Sequence, residues 1–221
     1  MEHPEALRLQ RKAVEIAERV LGPQHIDVAR IRENLANALA YSGDLRGALS
    51  EHEAALSAFE AAMGSTHSDL APMLHDASYA YVLAGDLATG EAQLRRAVQI
   101  WEATLAPDDP RLGMLMHALG GTLLLTGKKE EAVTMLERAM RLIGSSGQPE
   151  RVADAQVSLA RALWEARGDR DEALAHAERA ATTYRAAGSM RTDSLAELEA
   201  WMRTVAAASS HKRASRGSRE R

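Results

Sequence analysis

GPQHIDVARIRENLANALAYSGDLRGALSEHEAALSAFEAAMG, residues 22–64, decides how this chain folds. It reads as two helices, one from about Asp27 to Tyr41 and one from about Leu45 to Met63, with apolar residues recurring at helical spacing. Gly22-Pro23 interrupts the chain and restarts it, and Tyr41-Ser42-Gly43-Asp44 joins the two helices. Glycine at position 43 suits the left-handed backbone at a helix end, and Asp44 can then accept amide hydrogen bonds at the next helix start.

Shifted copies of this stretch fill most of the chain. Units at 22–63, 64–105, 106–146 and 147–187 turn at Gly43, Gly85, Gly127 and Gly168. The first-helix positions Val28, Leu70, Leu112 and Val152 are separated by 42, 42 and 40 residues. The second-helix positions Ala13, Ala55, Ala97, Ala139 and Ala180 are separated by 42, 42, 42 and 41. Unrelated amphipathic helices would not hold that register. The fourth unit departs from it twice, with a loop two residues shorter after Ala139 and one residue inserted between Leu163 and Gly168.

A helix with one apolar stripe cannot bury it alone, so neighbouring hairpins must stack. Small residues at Ala36, Ala48 and Ala55 let helix axes come close, and Phe59, Trp101 and Tyr184, with Ile143 in the third unit, recur on one face of the second helices. Core packing accounts for that stripe. The expected fold is therefore all-α, a solenoid of antiparallel helix pairs.

The flanks follow from the same register. Residues 5–21 match a second helix without its first, a half repeat whose apolar stripe reads as Leu9, Ala13, Ile16 and Val20. A half repeat at that place is expected either in a piece of a longer protein or as an N-terminal cap, and the piece is the favoured reading. Residues 189–208 read as a C-terminal capping helix with Leu195, Leu198, Trp201, Met202 and Val205 inward. Residues 209–221 read as a disordered basic tail.

Composition narrows the function classes. Hydrophobic residues make up 46% of the 221 residues but aromatic residues only 4%, so alanine supplies much of the core. There is no cysteine, which removes disulfides, thiolate metal sites and cysteine nucleophiles. The longest apolar run, Leu119 to Thr126, is far shorter than a membrane helix, and a cytoplasmic location without membrane contact is expected. The formal charge of −4 divides into a tail of about +4 and a body of about −8, which disfavours a nucleic-acid platform.

These units resemble tetratricopeptide repeats. Leu35, Ala36, Leu39, Gly43, Asp44, Ala48 and Ala55 carry the pattern, and Leu119, Gly120, Leu123, Gly127, Ala132, Leu136 and Ala139 repeat it. The fourth unit carries it at Leu159, Ala160, Leu163, Gly168, Ala173 and Ala180; in the second, Gly90 replaces the central alanine. The period of about 42 residues, with Gly22, Pro23, His25, Asp27 and Val28 in the loop, is similar to the kinesin-light-chain type and its bacterial relatives. The resemblance covers residues 5–187 and implies a right-handed superhelical course for the solenoid.

The resemblance implies a concave groove lined by first helices. It assigns to that groove Arg30, Glu33, Asn37 and Tyr41; Pro72, His75, Tyr79 and Leu83; Met114, His117, Gly121 and Leu125; and Asp154, Val157, Arg161 and Trp164. A groove of mixed aromatic, histidine and apolar character suits an extended peptide or a helix. Asn37 matches the asparagine of groove-binding repeats, but the lysine and arginine set of a carboxylate clamp is absent.

No catalytic pattern appears: the chain lacks a Gly-rich phosphate loop, an HExxH spacing and a GxSxG elbow. His25 and His67 recur in loops, but the third unit has Asp109 at that place and the fourth has no close equivalent, so loop capping explains them better than a metal. His52 and His176 lie on second helices as surface or packing residues. Neither cofactor nor metal is expected. The expected function is a non-catalytic scaffold that binds protein or peptide, as the regulatory part of a larger bacterial signalling protein. Self-association through exposed array edges, a spacer role, and membership of a multidomain kinase or regulatory ATPase stand as the alternatives.

Overall fold

The computed structural model describes residues 3–144 and 147–217 and contains, among them, helices and no β-sheet. The chain divides into two compact units, residues 1–107 and 108–221. The first holds α1 (His3–Leu21), α2 (Ile26–Ser42), α3 (Leu45–Met63), α4 (Leu70–Leu83) and α5 (Leu87–Thr104). The second holds α6 (Pro110–Leu125), α7 (Lys129–Ile143), α8 (Pro149–Arg167), α9 (Arg170–Ala187), a 3-10 turn (Gly188–Arg191) and α10 (Thr192–Gly217). Within each unit, helix hairpins stack one on the next in the manner of a solenoid.

The hairpin turns form as local chemistry dictates. Gly43 adopts φ 88°, its N–H bonds to Ala40 O, and the Asp44 N–H reaches back to Leu39 O at 3.0 Å. That pair of bonds closes the end of α2, and a residue with a Cβ would be strained at that φ. Asp44 then accepts the Gly47 N–H at 3.0 Å and starts α3. Asp86 does the same for α5 through the Thr89 N–H. Lys128 makes no side-chain cap at α7, where Glu130 and Glu131 occupy the first turn instead. In the fourth unit the inserted residue is absorbed by one further residue of helix: α8 runs to Arg167 and closes on a single bond from the Gly168 N–H to Trp164 O.

Side-chain size sets how closely the helices pack. Ala36, Ala48 and Ala55 are fully buried in the first unit, and Ala132, Ala139, Ala160, Ala173 and Ala180 in the second. At Gly120 a Cβ would lie 2.5 Å from Leu136 Cγ, so α6 and α7 meet without room for one methyl. Phe59, Trp101, Ile143 and Tyr184 are buried, each worth about 2–3 kcal/mol in apolar area removed from water. Trp101 also donates its indole N–H to Ser68 O at 2.9 Å, fastening the α3–α4 loop to α5.

Two flanking segments differ from the sequence reading. In α1 the buried residues are Val14 and Ala17, whereas Leu9, Ile16 and Val20 are 52%, 43% and 71% exposed and Ala13 is exposed too. The stripe is real but unpartnered, because α1 buries the neighbouring face, through Val14 and Ala17. Its repeat counterparts Ala55, Ala97, Ala139 and Ala180 are fully buried because each has a first helix of its own hairpin beside it. At the other end α10 begins at Thr192, after the 3-10 turn, and packs Leu198 against the buried alanines and Tyr184 of the α8–α9 hairpin; Val205 is buried too. It continues to Gly217, beyond the 208 boundary and into the stretch read as a disordered tail, while 218–221 lie outside the described residues.

Candidate functional site

In the first unit, α2 and α4 lie side by side and enclose a cavity of about 270 Å³ lined by Asn37, Ala40, Tyr41, His75, Asp76 and Tyr79. The positions follow from helix geometry: 37 and 41 are one turn apart on α2, and 75 and 79 one turn apart on α4. Tyr41 and Tyr79 stand out into solvent, at 80% and 53% exposure, unlike the buried Phe59 and Tyr184. Tyr41 also borders a second depression of about 450 Å³ on the α1–α2 surface, lined otherwise by Ala6, Leu7, Gln10 and Ala38.

Asp76 is the centre of the polar contacts. Asn37 donates its side-chain amide to Asp76 Oδ2 at 2.8 Å, and His75 Nδ1 lies 3.2 Å from Asp76 Oδ1. Burial alone would raise this carboxyl, but the His75 and Asn37 hydrogen bonds, with the His75 and His52 rings nearby, outweigh it and hold it below the usual carboxylate range. Glu33 responds the opposite way. Burial, and then the Asp76 charge, push it up to about 7, against a smaller pull from Arg30. His52 is buried on α3 with its Nε2 unpaired, and burial pushes it below the ordinary histidine value despite Asp76.

The expected groove residues of this unit thus divide. Asn37, Tyr41, His75 and Tyr79 meet at one cavity. Glu33 is half-buried and electrostatically coupled to it, whereas Arg30 is exposed and pairs with Asp69 at 3.7 Å. Asp76 and Ala40 were not among the residues read from sequence. Asp76 did leave a signal, being the lone Asp, Glu, Lys or Arg in α4, where the sibling repeats have Asn34, Ala118 and Ser158.

In the second unit the expected residues have mostly internal partners. His117 Nε2 lies 2.8 Å from Ser158 Oγ, joining α6 to α8, and burial pushes its pKa down. Asp154 accepts the Tyr184 hydroxyl at 2.5 Å and Arg191 Nη2 at 3.0 Å, and the Arg191 guanidinium lies over the Tyr184 ring. Trp164 packs with Leu136, Leu159 and Leu163 in the core. Arg161 is half-buried with its Nε unpaired, Met114 is half-buried, and Leu125 is 60% exposed.

The loop histidines serve as caps. His25 Nδ1 accepts the Asp27 N–H and His67 Nδ1 the Asp69 N–H, at 3.2 and 3.1 Å, and Asp109 takes the same role toward the Arg111 N–H in the third unit. Among the described residues no group of three or more His, Cys, Asp or Glu could hold a metal ion, and no helix is long and apolar enough to cross a membrane.

Comparison with known proteins agrees with the all-helical hairpin fold. Solved structures similar in fold include the nearly identical TPR-like repeats of Podosopora anserina described as a kinesin light chain, at 23% identity and TM-score 0.71 over 85% of this chain and 90% of that one. BtubC (BKLC) from P. vanneervenii is 19% identical at TM-score 0.75, over 85% of this chain and 75% of that one. YrrB, described as a TPR protein with an unusual peptide-binding site, is 21% identical at TM-score 0.55, over 89% of this chain and 90% of that one. At these identities the likeness concerns the fold. A search of curated protein sequences gives no match. The tetratricopeptide repeat model matches residues 1–61 and 69–145, more than half of the sequence, and the chain belongs to the tetratricopeptide repeat family.

Proposed function

We propose that this protein-interaction module binds an extended protein segment across α2 and α4 of its first unit. The observation that carries this reading is the cavity where Asn37, Tyr41, His75 and Tyr79 converge, with two exposed tyrosines as its walls. Exposed aromatic rings on rigid helices supply large contact area at little entropic cost, which is the chemistry of a binding hot spot. The apolar depression on the other side of Tyr41 extends the surface along α1 and α2. The peptide-binding site named for the similar YrrB fold supports the class of ligand.

Affinity capture of the partner from the source cell, followed by titration against a Tyr41→Ala/Tyr79→Ala double variant, tests the reading. A loss of affinity of tenfold or more, with an unchanged circular-dichroism melt, is the expected outcome. Unaltered affinity would move the binding surface elsewhere.

A second reading is self-association. The exposed Leu9, Ala13, Ile16 and Val20 on α1 favour it, because a contiguous apolar face on a helix marks an interaction surface. Light scattering over a concentration series tests it, and a strict monomer throughout would remove it. The wider role as the regulatory part of a larger cytoplasmic bacterial signalling protein rests on alanine- and arginine-rich composition and on the family's range of uses. The full coding sequence tests that role, and a coding sequence without a catalytic or signalling domain would count against it.

A further inference from the structure

Among the described residues, the cavity on α2 and α4 contains a carboxylate but no lysine or arginine. Asp76 is the acidic residue in its lining, and its hydrogen bonds come from neutral Asn37 and from His75. A carboxylate presents about four lone-pair sites, so two such bonds leave acceptor capacity open toward the cavity. The nearest arginine of α2 by register, Arg30, turns to Asp69. Arg32 is held by Glu18 and Glu51. The basic group that Asp76 meets is the His75 ring, and no lysine or arginine lines the cavity beside it.

The walls add a second, independent preference. Tyr41 and Tyr79 border the same space from opposite helices, and both remain largely exposed. A phenol ring attracts a cation over its face, and a planar guanidinium can stack on a ring while its N–H fork meets a carboxylate. An aliphatic side chain would satisfy the rings alone and leave Asp76 without a counter-charge, and an acidic one would be repelled by both. The acidic body, about −8, draws basic segments toward the surface.

We infer that this cavity receives an arginine side chain of the bound segment, its guanidinium paired with Asp76 and stacked on Tyr41 or Tyr79. The inference rests on the groove reading above and adds to it the chemistry of the partner. The aliphatic stem of the arginine runs past Ala40, the apolar residue of the lining. The apolar depression beyond Tyr41 favours a neighbouring apolar residue in the same segment.

The test titrates the full chain with short blocked glycine–serine–alanine peptides that carry arginine, lysine, citrulline or glutamate at the centre. Binding is followed by amide and tyrosine-ring NMR shifts. Citrulline keeps the shape of arginine and removes its charge. The arginine peptide is expected to bind about tenfold tighter than the citrulline peptide, equivalent to about 1.4 kcal/mol, with lysine between them. Asp76→Asn should abolish that difference. Tyr41→Ala, at an exposed position, should weaken the arginine peptide about threefold without affecting the fold.

Equal binding of arginine and citrulline, an unchanged preference in Asp76→Asn, or no binding by the arginine peptide would overturn the inference. The groove reading fails separately. Equal shifts of the Tyr41 and Tyr79 rings by all peptides would sink the arginine assignment and leave the groove standing. Arginine-dependent shifts elsewhere on the chain would remove both.

Discussion

Asn37 on α2 and Asp76 on α4 are 39 residues apart in sequence and 2.8 Å apart in the structure, joined by a hydrogen bond from amide to carboxylate. This bond ties the first helices of two successive hairpins at the floor of the cavity. Removing the donor leaves a half-buried carboxylate with one partner fewer. Asn37→Ala should cost about 1–2 kcal/mol in urea unfolding at neutral pH and raise the Asp76 pKa, read from its side-chain carbon chemical shift.

Glu33 gives the stability of the chain a pH signature. Its folded pKa of about 7 lies above the ordinary glutamate value of 4.5, so the folded state holds a proton that the unfolded state has released between those limits. Stability therefore falls as pH rises from about 4.5 to about 7 and levels off above, by roughly 1–3 kcal/mol from this group. Glu33→Gln should abolish that loss. The variant and the parent should unfold at similar urea concentrations at acid pH, and the variant should be the more stable at pH 8.

Arg32 connects three helices of the first unit, bonding Glu18 on α1 and Glu51 on α3 from its own place on α2. All three side chains are largely shielded from solvent, so its removal strands two carboxylates together. Arg32→Ala should destabilise by roughly 2 kcal/mol, and hydrogen exchange should show α1 opening first. Arg8, paired with Glu5 on the solvent side of α1, should be replaceable by alanine at almost no cost.

Gly120 tests how tightly α6 and α7 are packed. Its added methyl would meet Leu136 Cγ at 2.5 Å, and Leu136 itself is fully buried. Gly120→Ala should therefore lower stability by about 1–3 kcal/mol despite the better helix propensity of alanine. Combined with Leu136→Ala it should cost less than the sum of the two single costs, as a double-mutant cycle would read. Alanine is tolerated at the same repeat position in the fourth unit because the facing side is lighter: Ala160 and Ala177 both sit in one buried cluster.

Much of the fold was legible in residues 22–64 because the features that define a hairpin are local. Apolar spacing, a glycine at the helix end and a following cap act within a few residues, and the register of about 42 residues multiplies the signal. The α1 stripe shows the limit of that reasoning. Periodicity identifies an apolar face at Leu9, Ala13, Ile16 and Val20, but burial depends on a neighbouring helix that no single helix encodes. Asp154 and Trp164 show it again: repeat position assigns both to the groove, yet Tyr184, Arg191 and the core leucines engage them from other elements.

By itself, then, the sequence determined the helix pairs, their turns, the alanine-rich contacts and the family, because repetition converts short-range preferences into a long-range architecture. Tertiary structure alone decided that Asp76 joins Asn37, that Glu33 shares its field, and that Tyr41 and Tyr79 face one cavity. The physical reason is distance. A hydrogen bond or a charge interaction depends on a few ångströms through space, and residues 39 apart in the chain acquire that proximity only when two hairpins stack.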